Sequence, residues 1–380
     1  MAERVIALDY TAAVHQSAGI GRYVRELTSA LASSAPPEFQ PLRLFVAGAW
    51  GLDLPPAPPG CVYCPSPLSE RTHARLWQRL QLPLPVELWT GPAALFHATD
   101  FSLPPVLPGT PTVLNVHDLA FERYPAETMP GMLGYLRRVV PRSARRASRL
   151  IAISEATRRD LIELYDLPAE KISVVYPGLS PRFHEPAPRS ESEVRVRYGL
   201  PDAPIILTVG TLQPRKNHRR LVRAFSRVRD RAVLVIAGGE GWAYDAVRDE
   251  AARLHLSGRV IFTGFVDDAD LPALYRAAVL FAYPALYEGF GLPVLEAMAC
   301  GLPVVTSNVS SLPEVTGPEA ALLINPLDEE ELAAALERLL DDEGLRAALA
   351  GRGRLRAGQF TWERAAQAVW DVYRTLLHLA

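Results

Sequence analysis

The sequence predicts an α/β protein made of two doubly wound domains, each built on a mainly parallel sheet. Three observations lead there. Short apolar runs alternate with amphipathic stretches along most of the chain, the rhythm of strands joined by helical crossovers. With 380 residues, the chain exceeds what one hydrophobic core comfortably holds, so two domains are expected. The rhythm lapses once, over residues 176–200, where "PGLSPRFHEPAPRSESEVRVRYGL" is rich in proline, serine and charge and reads as a junction.

The elements follow in order. "RVIALDY" reads as a strand, and "SAGIGRYVRELTSAL" as a helix with Ile20, Val24, Leu27 and Leu31 at helical spacing. Strands are expected at "RLFVAG", "ALFHAT", "TVLNVH" and "RLIAIS". Ser154 can then cap a helix carrying Leu161, Ile162 and Leu164, before the strand "KISVVYPG". Past the junction the alternation restarts: "IILTVG", helix 217–228, "AVLVIAG", helix 244–255, "VIFTGF", helix 270–277, "VLFAYP", helix 292–299, "PVVTS" and "ALLIN". Domains are accordingly expected at 1–180 and 201–358, with a linker over 181–200. In the tail, "DEEELAAALERLL" puts acids in a first helical turn, where the helix dipole favours them. Residues 359–380 form a last helix with a stripe of Trp362, Ala366, Val369, Tyr373 and Leu376. It is either an ordinary packing helix or a strap returning to the N-terminal domain; periodicity does not choose. Ligands of such sheets gather at the carboxyl ends of strands, here in the cleft expected between the domains.

Composition removes several classes. No run approaches the 18 apolar residues of a membrane span, and "MAERVIALDY" lacks the cationic and apolar regions of a signal peptide, so a cytoplasmic protein is expected. Forty basic against 42 acidic residues offer no electrostatic case for nucleic acid. Lys171 and Lys216 are the only lysines in an arginine-rich chain, which singles each out. Cys61 and Cys64 in "CVYC" lack the second pair or histidine of a zinc site, and with Cys300 read as unbridged thiols.

Three constellations carry chemistry. The strongest is "LYEGFGLPVLEAMACGLPVV", residues 286–305. A strand ends, Gly289 and Gly291 permit unusual backbone angles, and a helix starts with Pro293 in its first turn. Free N–H groups at that start suit an anion or sugar oxygens, and Glu288 and Glu296 can each accept from a vicinal diol. The plain alternative is a solvent-facing Glu288, a turn, and Glu296 on an exposed helix face. The second is "VGTLQPRKNHRRLVRAF", where Gly210 ends a strand and Arg215 and Lys216 precede a helix that Asn217 is placed to cap. A guanidinium and an ammonium side by side offer a fork and a point charge for a diphosphate, although a solvated cationic turn has the same composition. No Walker A loop and no GxGxxG after the first strand occur. The third is N-terminal. Gly19 and Gly21 sit where backbone can approach a ligand, a weak signal alone, and His117–Asp118 follow the strand "TVLNV". The histidine can position or exchange a proton near neutral pH, but such pairs are more often structural.

Together, Glu288, Glu296, Gly289, Gly291, Arg215, Lys216, Gly19, Gly21 and His117 resemble the large retaining nucleotide-sugar glycosyltransferase family 4, of GT-B fold. "EGFGLPVLEAMACGLPVV" resembles that family's signature of two glutamates with seven residues between them. "VGTLQPRKN" is similar to a subgroup with many bacterial mannosyltransferases of O-antigen and exopolysaccharide assembly. The resemblance spans nearly the whole chain, "AGIGRYVREL" and "NVHDL" included. It implies that Glu288 meets the donor sugar hydroxyls, helped by backbone at Gly289, Phe290, Gly291 and Leu292, and that Glu296 holds the ribose. It further implies that Arg215 and Lys216, beside Gly210, neutralise the diphosphate, that Gly19 and Gly21 lie near the phosphates, and that His117 lies near the reacting sugar. Thr211 stands where the family usually has arginine, shifting the cationic role to Arg215 and Lys216.

The implied reaction is metal-independent transfer with retention from a nucleotide sugar, GDP-mannose above UDP-sugars, to a saccharide or lipid-linked saccharide. No cofactor is implied beyond the donor substrate. A GT-B epimerase or phosphorylase shares much of the architecture, and a non-catalytic nucleotide-sugar binding subunit is a further alternative. Residues 134–150, "GYLRRVVPRSARRASRL", set six arginines beside Tyr135, Leu136, Val139 and Val140. They fit a helix packed on the sheet, or a peripheral contact with an anionic bilayer at the inner face of the membrane.

Overall fold

In the computed structural model, residues 5–16, 19–229 and 231–378 are described. Residues 1–4, and 17 and 18 of the "SAGIGRY" stretch, lie outside the described residues. Seven strands of the first unit, Met1–Gly178 with Thr361–Ala380, form one sheet. They are β1 (Ile6–Asp9), β2 (Leu42–Val46), β3 (Cys61–Pro65), β4 (Leu95–Ala98), β5 (Thr112–Val116), β6 (Arg149–Ala152) and β7 (Ile172–Val174), in the order β3-β2-β1-β4-β5-β6-β7. All pairs are parallel, with Ile6 opposite Leu95 and Ala7 opposite Arg43. The central strands are buried except at Asp9, as sheets covered on both faces require, which is why they read as mainly apolar runs.

The C-terminal helix Trp362–Leu377 packs in this unit, against helix Ile20–Ser33. Its buried Tyr373 hydroxyl is tied into a chain of bonds across the sheet, while Trp362 Nε1 is buried without a partner among the described residues. Tyr373 OH bonds His97 Nδ1 at 2.6 Å, His97 Nε2 bonds Asn115 Oδ1 at 2.8 Å, and Asn115 Nδ2 donates to Tyr23 OH at 2.8 Å. The chain enters the helix beside Gly178, where a β-carbon would stand 2.2 Å from the backbone nitrogen of Trp362. Of the two readings of 134–150, the packed one describes helix Pro130–Arg146: Val139, Val140 and Ala144 are buried, and Arg137 pairs with Glu122 at 2.9 Å. Among the described residues no helix is long and apolar enough to cross a membrane.

The second unit, Leu179–Phe360, holds six parallel strands. They are β8 (Ile205–Val209), β9 (Val233–Ala237), β10 (Val260–Gly264), β11 (Leu280–Tyr283), β12 (Val304–Ser307) and β13 (Leu322–Ile324), ordered β10-β9-β8-β11-β12-β13. Ile206, Leu234, Ile236, Phe225 and Leu336 are among its buried core, each such side chain contributing about 1.5–3 kcal/mol by leaving water. The order reverses between β8 and β11, so the loops after these two strands diverge to opposite faces and open a crevice at their carboxyl ends.

Two local readings change, and one segment given no element gains one. Within 181–200, read as linker, Glu191–Arg197 is a helix with a capping box of Ser190 and Glu193. The segment "CVYC" is the edge strand β3, and its thiols are unbridged. Asn217 does not cap its helix by side chain; it takes a left-handed φ of 62°, and its amide donates to Pro284 O at 2.9 Å and Pro326 O at 2.8 Å.

Candidate active site

The loops after β8 and β11 carry the singled-out residues to the switch point. After β8, Gly210 adopts a φ of 148° that side-chain-bearing residues rarely take, and Gly238 must be glycine because a β-carbon on it would lie 2.1 Å from Gly210 O. Thr211 is exposed beside it. The turn Pro214–Lys216 then presents Arg215 and Lys216, and Arg215 O accepts from Leu286 N at 2.8 Å, joining the two loops through backbone.

After β11 the chain is pinned from several sides. Ser307 Oγ donates to Ala285 O at 2.7 Å, Glu288 N donates to Ser310 Oγ at 3.1 Å, and Ser311 Oγ donates to the carbonyls of Glu288 and Phe290 at 2.9 and 2.8 Å. Gly291, with φ of 105°, starts helix Leu292–Ala299; a β-carbon there would meet Leu312 Cδ2 at 2.7 Å. Gly289 is buried in this turn, and Leu292 is half-buried at the head of the helix. The Phe290 ring is core, edge-on to Phe360 at 5.5 Å, leaving only its backbone for a ligand.

Glu288 is 6% exposed, which rules out the solvent-facing alternative. Its Oε1 gathers three donors: Lys216 Nζ at 2.5 Å, Arg215 Nη1 at 3.0 Å and Tyr283 OH at 3.1 Å. Burial alone would push this carboxyl up, but Arg215, Lys216 and the bonds from Lys216 and Tyr283 outweigh it and hold Glu288 below the usual range. Arg215 Nη1 also donates to Tyr287 O at 2.9 Å. A carboxylate, a guanidinium and an ammonium thus stand together, the charge set that suits a diphosphate joined to a polyol.

Glu296 is buried as well, so the exposed-face alternative fails for it too; its Oε2 accepts from Tyr275 OH at 2.9 Å. His218, the first residue of the helix after Asn217, is buried with both ring nitrogens unpartnered. Burial, with Lys216 acting the same way against the opposing pull of Glu288, drives its pKa down to about 3.

Four of the singled-out residues lie in the first unit. His117 is buried after β5; its Nε2 bonds Thr99 O at 2.9 Å, and its ring meets Tyr23 edge-on at 5.0 Å. Asp118 closes a local turn, accepting from Ala120 N at 2.9 Å. Gly19 takes a φ of 59° ahead of helix Ile20–Ser33 with nothing within 4 Å of its β position. Gly21 has a packing reason to be glycine, since a β-carbon would lie 2.0 Å from Gln16 O. Among the described residues no group of three or more His, Cys, Asp or Glu is placed to hold a metal ion.

Comparison with known proteins decides the family. Residues 17–183 match the model described as Glycosyltransferase Family 4, and residues 190–356 that of Glycosyl transferases group 1. The chain is 33% identical over 376 residues to O-antigen chain mannosyltransferase B of Escherichia coli, covering 94% of this chain and 96% of that protein. The chain belongs to the family 4 glycosyltransferases. This glycosyltransferase is also 38% identical over 249 residues to a D-inositol 3-phosphate glycosyltransferase of Kineococcus radiotolerans, across 60% of this chain and 57% of that one. Among solved structures, a sucrose-phosphate synthase from Thermosynechococcus elongatus matches at a TM-score of 0.79 and 23% identity over 99% of both chains. That likeness supports the GT-B fold.

Sequence reasoning missed Tyr283, Tyr275, His218, Ser310 and Ser311. The two tyrosines had a signal: each carries a hydroxyl on an otherwise apolar buried face, and a buried hydroxyl requires a partner.

Proposed function

We propose that this glycosyltransferase transfers mannose from GDP-mannose, with retention and without a metal, to a saccharide or lipid-linked saccharide. The carrying observation is the convergence of Arg215, Lys216 and Tyr283 on Oε1 of buried Glu288, at the carboxyl ends of two strands flanking the switch point. The donor sugar is supported by extended similarity to a mannosyltransferase. In this reading the diphosphate displaces the internal ion pairs and takes Arg215 and Lys216, while Glu288 accepts from sugar hydroxyls and Glu296 from the ribose.

The chemistry follows from where charge develops. As the bond between the anomeric carbon and the diphosphate breaks, positive charge grows on the sugar and negative charge on the leaving oxygen. Arg215 and Lys216 stabilise the latter, and preorganised donors of this kind are often the largest contribution to a rate. The acceptor hydroxyl attacks from the departing face, and its proton passes to a departing phosphate oxygen, which retains configuration. His117 orients the sugar.

A panel of GDP- and UDP-sugars, followed by calorimetry and product mass, tests the proposal. Binding and transfer from GDP-mannose is expected. Binding to a UDP-sugar alone would overturn the mannose assignment, and nucleotide release without a linked product would favour an epimerase or phosphorylase.

A further inference from the structure

Tyr283, the last residue of β11, stands between the two charges that matter most at this site. It is 1% exposed. Its hydroxyl accepts from Lys216 Nζ and donates to Glu288 Oε1 at 3.1 Å, while the ammonium also lies 5.1 Å from the centre of its ring. The tyrosine is itself fixed. Its ring stacks on Phe281 at 5.7 Å, and its carbonyl accepts from Thr306 Oγ1 at 2.8 Å.

We propose that Tyr283 is a positioning residue for transfer, holding the Lys216 ammonium and Oε1 of Glu288 in fixed relation while Oε2 of Glu288 is left for the substrate. This rests on the assignment of the donor site to Arg215, Lys216 and Glu288. The three donors on Glu288 all use Oε1, and no described residue donates to Oε2. Two of those donors are cations, which an arriving diphosphate attracts. The third is a neutral phenol, which it does not. Tyr283 is therefore the donor that remains on Glu288 once the cations turn to the phosphates, and it keeps the carboxylate from rotating as the sugar binds. A residue that merely filled the core would be replaced without loss by phenylalanine, which has the same ring and retains the cation–π contact.

The test is a double-mutant cycle between Tyr283→Phe and Lys216→Ala, with kcat, donor KM and thermal unfolding measured for each protein. Tyr283→Phe should lower kcat about tenfold, the scale of one hydrogen bond to a charged group, with a smaller change in donor KM. In the Lys216→Ala background the same substitution should cost less, because its bond with the ammonium is gone while its bond to Glu288 remains. Tyr283→Leu, which removes the ring as well, gives a second cycle should the first variant fold poorly, and its loss must also shrink without Lys216. Wild-type kcat in Tyr283→Phe, or losses that multiply in the double variant, would overturn the positioning role alone. Wild-type kinetics in Lys216→Ala would instead overturn the donor-site assignment.

Discussion

Replacing Lys216 by alanine tests the donor site most directly, because the structure bounds its effect on folding separately from its effect on rate. The ammonium lies 2.5 Å from Glu288 Oε1, and its side chain is 11% exposed. Its removal leaves Arg215 Nη1 and Tyr283 OH on the same oxygen, so Glu288 is not stranded without a partner. The stability loss is then about that of one charged hydrogen bond, roughly 1.5–3 kcal/mol. Against a typical total of about 5–15 kcal/mol, that leaves the protein folded at assay temperature. The rate loss should be larger. Removing one preorganised donor that faces developing charge costs about 10²–10³ in kcat, or about 2.7–4 kcal/mol. Initial rates of acceptor-dependent nucleotide release, at saturating and at limiting donor, separate the possibilities. Because the interaction strengthens as the leaving group departs, kcat and kcat/KM should fall together. A rise in KM alone would reduce Lys216 to a ground-state contact, and unchanged kinetics in both regimes would refute its role.

Transfer is expected to persist in excess EDTA, since Arg215 and Lys216 supply the charge that the leaving diphosphate needs. Loss on chelation with recovery on Mn²⁺ or Mg²⁺ would defeat that expectation. Stability should fall as pH drops below about 6.5, because burial holds His73 and His97 down to about 4 and His218 down to about 3, so the unfolded chain takes up protons that the folded one refuses. Asp9, pushed up to about 6 by burial, acts in the opposite sense between its ordinary value of 3.8 and 6, leaving about two protons net near pH 5, or roughly 2.7 kcal/mol per pH unit. Urea midpoints at pH 7, 6 and 5 measure this, and a flat series would contradict it. If Arg138, Arg142 and Arg145 meet a bilayer, the protein should sediment with anionic but not neutral liposomes, less so with salt. No binding at low salt, or binding unchanged after all three become glutamine, would dismiss that surface.

What could be read from the sequence tracks how local each cause is. Parallel strands buried on both faces must be apolar throughout, so "IILTV", "VLVIA" and "LFAY" announce themselves without knowledge of their neighbours. Edge strand β3 is only partly buried, and its cysteines carry no alternation, so nothing in the sequence marks it as a strand. Helix Glu191–Arg197 buries only Val194 among its seven residues, too little to set a period. The same rule governs the site. Glu288 was visible as a charge among apolar residues, and Lys216 as one of only two lysines in an arginine-rich chain. Their partners were not, because the bonds that hold them run across the sheet: Asn217 to Pro284 and Pro326, Ser310 and Ser311 to the Glu288 backbone, Tyr283 to Lys216. Each is a polar group whose partner is 20 or more residues away in sequence, and only the β8/β11 order brings them together. The distinction has a consequence for mutagenesis. Changes to the conspicuous charges should alter chemistry, while changes to Asn217, Ser310 or Ser311 should act through the shape of the two loops. Those effects should therefore appear in kcat and donor KM together, with Lys216 and Glu288 still in place.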